Sequence, residues 1–327
     1  MRSKALVVWT LIAALALLMV AGSPTLAKTA SKYNFVFLCH GGEENIFWAT
    51  VYKGFKDALE KYGCTGIMYR PPKEGDLEFQ LSTFKAVLAQ EPDGIITPIP
   101  HPTMFDDVVK QAINKGIPVI VSNTDDPEGA KGNARLSYIG QRLEDAGYNL
   151  ARSAIKYFPS GPPKPLNVLI GIEGPGLVWA ELRSKGITKF LDEYGAKYER
   201  LDISMDRSTQ HSRFMGYLKK HPEVNMILTV GTGSAGARLA VESLGYKPGR
   251  VVIGGFDLIP EILDGIEAGY IHLTVDQQPY LQGYLPVMQL YLMKTYGLSA
   301  WDVDTGLAIV DKDDVKTVRE LSEKRIR

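Results

Sequence analysis

Residues 34–69 read NFVFLCHGGEENIFWATVYKGFKDALEKYGCTGIMY, and three patterns follow one another within them. Phe35-Val-Phe-Leu38 is a β-rich apolar run closed by Cys39. Val51, Phe55, Leu59 and Tyr62 then recur at the spacing that puts apolar side chains on one helical face. A second β-rich run, Ile67-Met-Tyr69, ends the stretch. Strand, helix and strand in that order describe a parallel pair bridged by a helix, because parallel neighbours need a crossover rather than a tight turn.

The same alternation runs through the chain. Strands are predicted at 34–39, 65–69, 94–97, 118–121, 135–139, 166–170, 198–203, 225–230, 250–254, 271–275 and 307–310, with amphipathic stretches between most of them. Such repetition predicts an α/β protein whose parallel sheets are covered on both faces. Phe158-Pro-Ser-Gly-Pro-Pro-Lys-Pro165 is the clearest interruption, since proline and glycine suit neither ladder nor helix, and it reads as a loop. Five predicted strands precede it and six follow. That count suits two doubly wound parallel-sheet lobes better than one very wide sheet.

The first 27 residues read differently. Arg2 and Lys4 precede an apolar run from Ala5 to Gly22, and Ser23-Pro-Thr-Leu-Ala27 supplies small residues at which a signal peptidase cuts. Residues 1–27 are therefore expected to be a signal peptide that places the protein in the periplasm or at the cell exterior, an uncleaved anchor being the alternative. Beyond them stand 35 basic and 37 acidic side chains, a formal charge of −2, without a basic block. Nucleic acid and anionic membrane are poor partners for such a surface, and a small neutral molecule is a better one. Cys39 ends one strand and Cys64 begins the next, so in a parallel pair they lie at opposite ends and no disulfide is expected.

In a doubly wound sheet, ligands bind beyond the carboxyl ends of the strands. Those positions hold His40-Gly-Gly-Glu-Glu-Asn45-Ile-Phe47-Trp48, Ser122-Asn123-Thr124-Asp125, Gly171-Ile-Glu173-Gly-Pro-Gly-Leu-Val-Trp179, Gly231-Thr232-Gly-Ser234, Gly255-Phe-Asp257 and Asp276-Gln277-Gln-Pro279. Aromatic faces suit C–H surfaces, and amides with carboxylates suit hydroxyls, the combination that a sugar or polyol requires. Phe47 serves equally as the apolar start of a helix, and Asp257 as a helix N-cap. Gly231-Thr-Gly-Ser-Ala-Gly236 with Asp257 downstream imitates a dinucleotide fingerprint, but it lies deep in the chain rather than at the first βα turn. The five histidines are scattered, and no Gly-x-Ser-x-Gly elbow occurs, so no metal, no cofactor and no enzyme activity are expected. Glu43, Glu44, Glu173 and Asp257 would form a glycosidase pair only if the fold brought two of them together.

Several of these segments stand in the order found in type I periplasmic solute-binding proteins of sugar ABC transporters, in the ribose, galactose and autoinducer-binding branch. Asn45-Ile-Phe47-Trp48 resembles that family's Asn-Pro-Phe-Phe/Trp loop, and Pro92-Asp-Gly-Ile95 and Gly116-Ile-Pro-Val-Ile120 resemble its approaches to the third and fourth strands. Gly254-Gly-Phe-Asp257 resembles its Gly-Phe-Asp loop, and Asp276-Gln277-Gln-Pro279 its hinge segment. The resemblance implies that Asn45, Phe47, Trp48, Asn123 and Thr124 contact ligand from one lobe and Asp257 from the other, with Gln277 at the hinge. Trp179, from its Gly-Pro-Gly loop, and Thr232 are further candidates. The family's arginine near the start of the second-lobe helix falls on Glu181 or Arg183, of which Arg183 is carried as the candidate. Asn123-Thr124 replaces the Asp-Arg of ribose binders, which argues against ribose. The resemblance further implies three crossings near residues 139, 276 and 305, giving a lobe of 31–138 plus 277–304 and a lobe of 139–276 plus 305–327. It also implies hinge closure, a monomer, and delivery of the ligand to an ABC transporter permease. A sugar-acting enzyme and a sensor docking on a receptor remain the alternatives.

Overall fold

The computed structural model describes residues 32–327; the expected signal peptide lies outside the described residues. The first lobe is built from β1 (Asn34–Leu38), α1 (Ile46–Tyr62), β2 (Thr65–Tyr69), α2 (Leu77–Leu88), β3 (Gly94–Thr97), α3 (Asp106–Asn114), β4 (Val119–Asn123) and β5 (Ser137–Gly140). Its strands lie in the order β2-β1-β3-β4-β5, all parallel. The second lobe follows with α4 (Leu143–Ala154), β6 (Asn167–Ile172), α5 (Val178–Tyr194), β7 (Lys197–Asp202), α6 (Arg207–Lys220), β8 (Met226–Thr229), α7 (Ser234–Ser243), β9 (Val252–Phe256), α8 (Pro260–Glu267) and β10 (Leu273–Asp276). Here the parallel order is β7-β6-β8-β9-β10.

The chain then returns. α9 (Pro279–Tyr296) packs on α1, and β11 (Val303–Asp304) pairs parallel with β5. β12 (Ala308–Val310) joins β10, and α10 (Val315–Glu323) lies against α8. Both sheets therefore have six strands, and the chain passes between them at 140–143, 276–279 and 304–308. Two features differ from the sequence expectation. β11 was not predicted, since two residues are too few to show a period. β12 is antiparallel to β10, because a strand entering a lobe from the cleft side must run away from the cleft while every other strand of that sheet runs toward it.

Continuous apolar strands make sense once both faces are covered. Phe35 and Phe37 of β1 point to α1 and α9 with Val51, Phe55, Val287 and Leu290, and Val36 and Leu38 point to α2 and α3 with Phe84 and Val109. The second lobe repeats the arrangement, with Leu169 and Ile227 on one side and Val168, Ile170 and Leu228 on the other. The register Asn34↔Thr65 through Leu38↔Tyr69 sets Cys39 and Cys64 at opposite ends of the pair, and no disulfide joins them.

Candidate functional site

The loops beyond the carboxyl ends of both sheets enclose a cavity of about 500 Å³. Nine of the ten candidate residues line it: Asn45, Phe47, Trp48, Asn123, Trp179, Arg183, Thr232, Asp257 and Gln277. Thr124 does not. It is fully buried behind Asn123, donating through Oγ1 to Asn123 Oδ1 at 2.9 Å.

On the first-lobe side, Asn45 caps α1 by accepting from the Phe47 N–H at 3.0 Å, which fixes Phe47 and Trp48 in the first helical turn. Phe47 is half-buried at the cavity and Trp48 nearly enclosed, its ring edge-on to Phe37, His40 and Phe47. Burial pushes His40 down to about 4, so it is neutral at physiological pH. Asn123 has φ +74°, a left-handed conformation that asparagine tolerates. Its Nδ2 donates to Gln282 Oε1 at 3.1 Å.

The second lobe answers with the equivalent position. Asp257 follows β9 at φ +75° and accepts from Gln277 Nε2 through Oδ1 at 2.5 Å. Burial lifts its carboxyl above the ordinary aspartate range, and the Arg183 charge works against that lift. Trp179 and Arg183 stand four apart on α5 and share one face, whereas Glu181 points outward to Arg200. Helical phase thus puts Arg183, and not Glu181, at the cavity. The Arg183 guanidinium lies 4.0 Å from the Phe256 ring centroid and donates to Val230 O at 2.9 Å and to Gln141 Oε1 at 3.1 Å. Desolvation lowers its pKa, yet arginine stays charged in proteins.

Glu173, a strand-end carboxylate outside the expected set of site residues, lies at the floor of the cavity with 4% exposure. Its Oε1 accepts from Gln210 Nε2 and Thr232 Oγ1, each at 3.2 Å. Burial pushes this carboxyl up to about 7, hydrogen bonds from Gly233 and Thr232 opposing the rise. Gly231 leaves it room, since a Cβ there would sit 2.2 Å from Glu173 Oε2. Met205, Arg207, Glu44, Glu74 and Glu261 complete the rim. The position after a strand is the available signal for Glu173 and for Glu44; Glu74 and Met205, which follow the edge strands β2 and β7, and Arg207 and Glu261, which open helices, carry no such mark.

Buried polar atoms at this cavity lack partners within the protein: His40 Nδ1, Trp179 Nε1, Arg183 Nε, Glu173 Oε2 and Gln277 Oε1. Donors and acceptors are interleaved with aromatic faces, and the buried cation is compensated by the two carboxylates nearest it. A guest carrying many hydroxyls satisfies such a set, because each hydroxyl both gives and accepts. Among the described residues, no group of three or more His, Cys, Asp or Glu side chains is arranged to hold a metal ion.

Residues 35–297 match the family described as periplasmic binding protein domain. A xylose/arabinose-binding protein of Sulfolobus acidocaldarius is 28% identical over 300 residues, covering 87% of this chain and 72% of its own. The structure superposes with a TM-score of 0.77 on a periplasmic sugar-binding protein of an ABC sugar transporter from Legionella pneumophila, at 28% identity over 84% of this chain and 100% of that one. A carbohydrate transporter from Acidothermus cellulolyticus in complex with myo-inositol gives a TM-score of 0.78 at 25% identity over 90% of this chain and 99% of that one.

Proposed function

This chain belongs to the periplasmic binding protein domain family, and from that premise we propose that it captures one uncharged monosaccharide or cyclitol between its lobes and presents it to an ABC importer. The observation that carries the reading is the set of five buried, unpartnered polar atoms around an aromatic-lined cavity. Relatives that bind xylose, arabinose and myo-inositol support the ligand class. An anion would meet the carboxylates of Glu44, Glu74, Asp257 and Glu261, and a cation would meet Arg183 and Arg207. The family name supports export to the periplasm.

The elements β1 through β5 with α9 and β11 are taken to move against α4 through β10 with β12 and α10, about the three crossings. Ligand touches both lobes only when they are closed, and that difference in affinity shifts the population toward the closed form. Capture and release need no covalent step.

Titration calorimetry of the purified protein against D-xylose, L-arabinose, D-glucose, D-galactose and myo-inositol tests this. One-to-one saturable binding of at least one of them is expected, with Asp257→Ala weakening it by roughly 1–3 kcal/mol through loss of a charged hydrogen bond. Chemical conversion of the bound sugar would replace the binding reading with the enzymatic one.

A further inference from the structure

Glu173 differs from the other cavity residues in how it is held. One carboxylate oxygen is fixed by side chains from two separate elements, Gln210 of α6 and Thr232 of the loop after β8. The other oxygen, Oε2, has no partner within the protein although the side chain is more than nine-tenths buried. Oε2 lies against Gly231, itself a cavity-lining residue, where an added Cβ would come within 2.2 Å of it. A carboxylate clamped through one oxygen presents the other as an acceptor of fixed direction, and an acceptor left unmet in a low-dielectric site is costly.

We propose that Glu173 is a specificity-determining residue of this site: Oε2 accepts the hydrogen of one ligand hydroxyl, so that sugars lacking a hydroxyl there, or carrying a carboxylate there, are rejected. The inference rests on the sugar-binding reading above. It also makes binding proton-linked. Only the ionised carboxylate accepts at both oxygens, and burial places its titration at about 7. The charged groups facing it are Asp257, beyond β9, which favours protonation, and Arg183, on α5, which favours ionisation; Gln210, Thr232 and Gly233 are neutral. His40, at about 4, does not titrate between pH 6 and 8.

The five sugars named above serve as probes, titrated at pH 6, 7 and 8 in two buffers of different ionisation enthalpy. Glu173 is about one-tenth ionised at pH 6 and about nine-tenths at pH 8, so any probe that binds should bind more weakly at pH 6, by up to about tenfold, and release a fraction of a proton at pH 7. In E173Q the amide oxygen keeps the bonds from Gln210 and Thr232, and the amide nitrogen turns the unpartnered acceptor into a donor. That variant should lose about tenfold or more in affinity at pH 8 and show no pH slope. Wild-type affinity that is flat from pH 6 to 8, or E173Q binding as tightly with the slope intact, overturns the role of Glu173 while leaving the sugar-binding reading standing. Failure of all five probes to bind wild-type protein removes both.

Discussion

A buried carboxylate that waits for a ligand weakens the protein that carries it. Glu173 holds its proton more tightly in the folded chain, at about 7, than the ordinary glutamate value of 4.5 allows in the unfolded one. Its contribution to stability is therefore fully present below pH 4.5 and lost as pH rises through 7, a swing of up to roughly 3 kcal/mol at 1.36 kcal/mol per pH unit. Urea unfolding of the ligand-free protein should accordingly find wild type less stable relative to E173Q at pH 8 than at pH 5. His40 acts in the opposite sense between pH 6.5 and 4, where the unfolded chain takes up a proton that the buried ring refuses. It is common to both proteins and cancels from the comparison. The sequence marked Glu173 by its position after a strand, but its burial, its clamp and its unmet oxygen come from α6 and the loop after β8, which lie about 37 and 59 residues further along.

At the scale of elements, the two lobes use one device twice. Where α1 crosses α9, an added Cβ at Gly54 would lie 2.1 Å from Tyr280 O, and one at Gly283 would lie 1.9 Å from Val51 O. Where α4 crosses α5, a Cβ at Gly147 would lie 2.0 Å from Arg183 O and one at Gly186 would lie 1.9 Å from Glu144 O. Backbone against backbone leaves nothing to yield. Gly186→Ala should therefore lower thermal stability, by about 1–3 kcal/mol for an overpacked contact, and should weaken sugar binding by shifting the helix that carries Trp179 and Arg183. Gly216→Ala in α6 meets nothing within 4 Å and should raise stability by about 0.5–1 kcal/mol. Thermal unfolding of both variants reads the opposite signs.

At the scale of the whole described fold, amide side chains tie the three crossings together. Gln141 Nε2 donates to Gly306 O at 3.0 Å, and Gln282 Nε2 donates to Gln277 O at 3.0 Å and to Thr305 Oγ1 at 3.2 Å. Away from the crossings, the lobes also touch across the cavity mouth. The Val178 N–H at the start of α5 donates to Pro100 O, beyond β3, at 3.0 Å, and a Cβ added at Gly75 would lie 3.3 Å from Met205 Sδ. Val178→Pro deletes that bond with little cost to the helix, since proline suits the first helical position and Leu177 before it is already extended at φ −77° and ψ 137°. The variant should unfold at a temperature close to wild type yet bind sugar about 0.5–1.5 kcal/mol more weakly, the net worth of one hydrogen bond made only on closure. Small-angle scattering should show the radius of gyration falling on sugar addition in wild type, and falling at higher sugar concentration in V178P.

What could be seen in the linear chain was whatever repeats locally. Short apolar β-rich runs and a period-3.6 pattern in residues 34–69, continued to residue 310, carry the parallel α/β architecture, and the rule that ligands sit beyond strand ends points to the loops of Asn45, Trp48, Asn123 and Asp257. Local signals end where a feature depends on a distant partner. The phase of α5 selects Arg183 over Glu181, Asn123 shields Thr124 from the cavity, and entry from the cleft turns β12 antiparallel. The acceptor at Glu173 belongs with these, because desolvation and fixed hydrogen bonds are properties of assembled surroundings, and no window of neighbouring residues contains them.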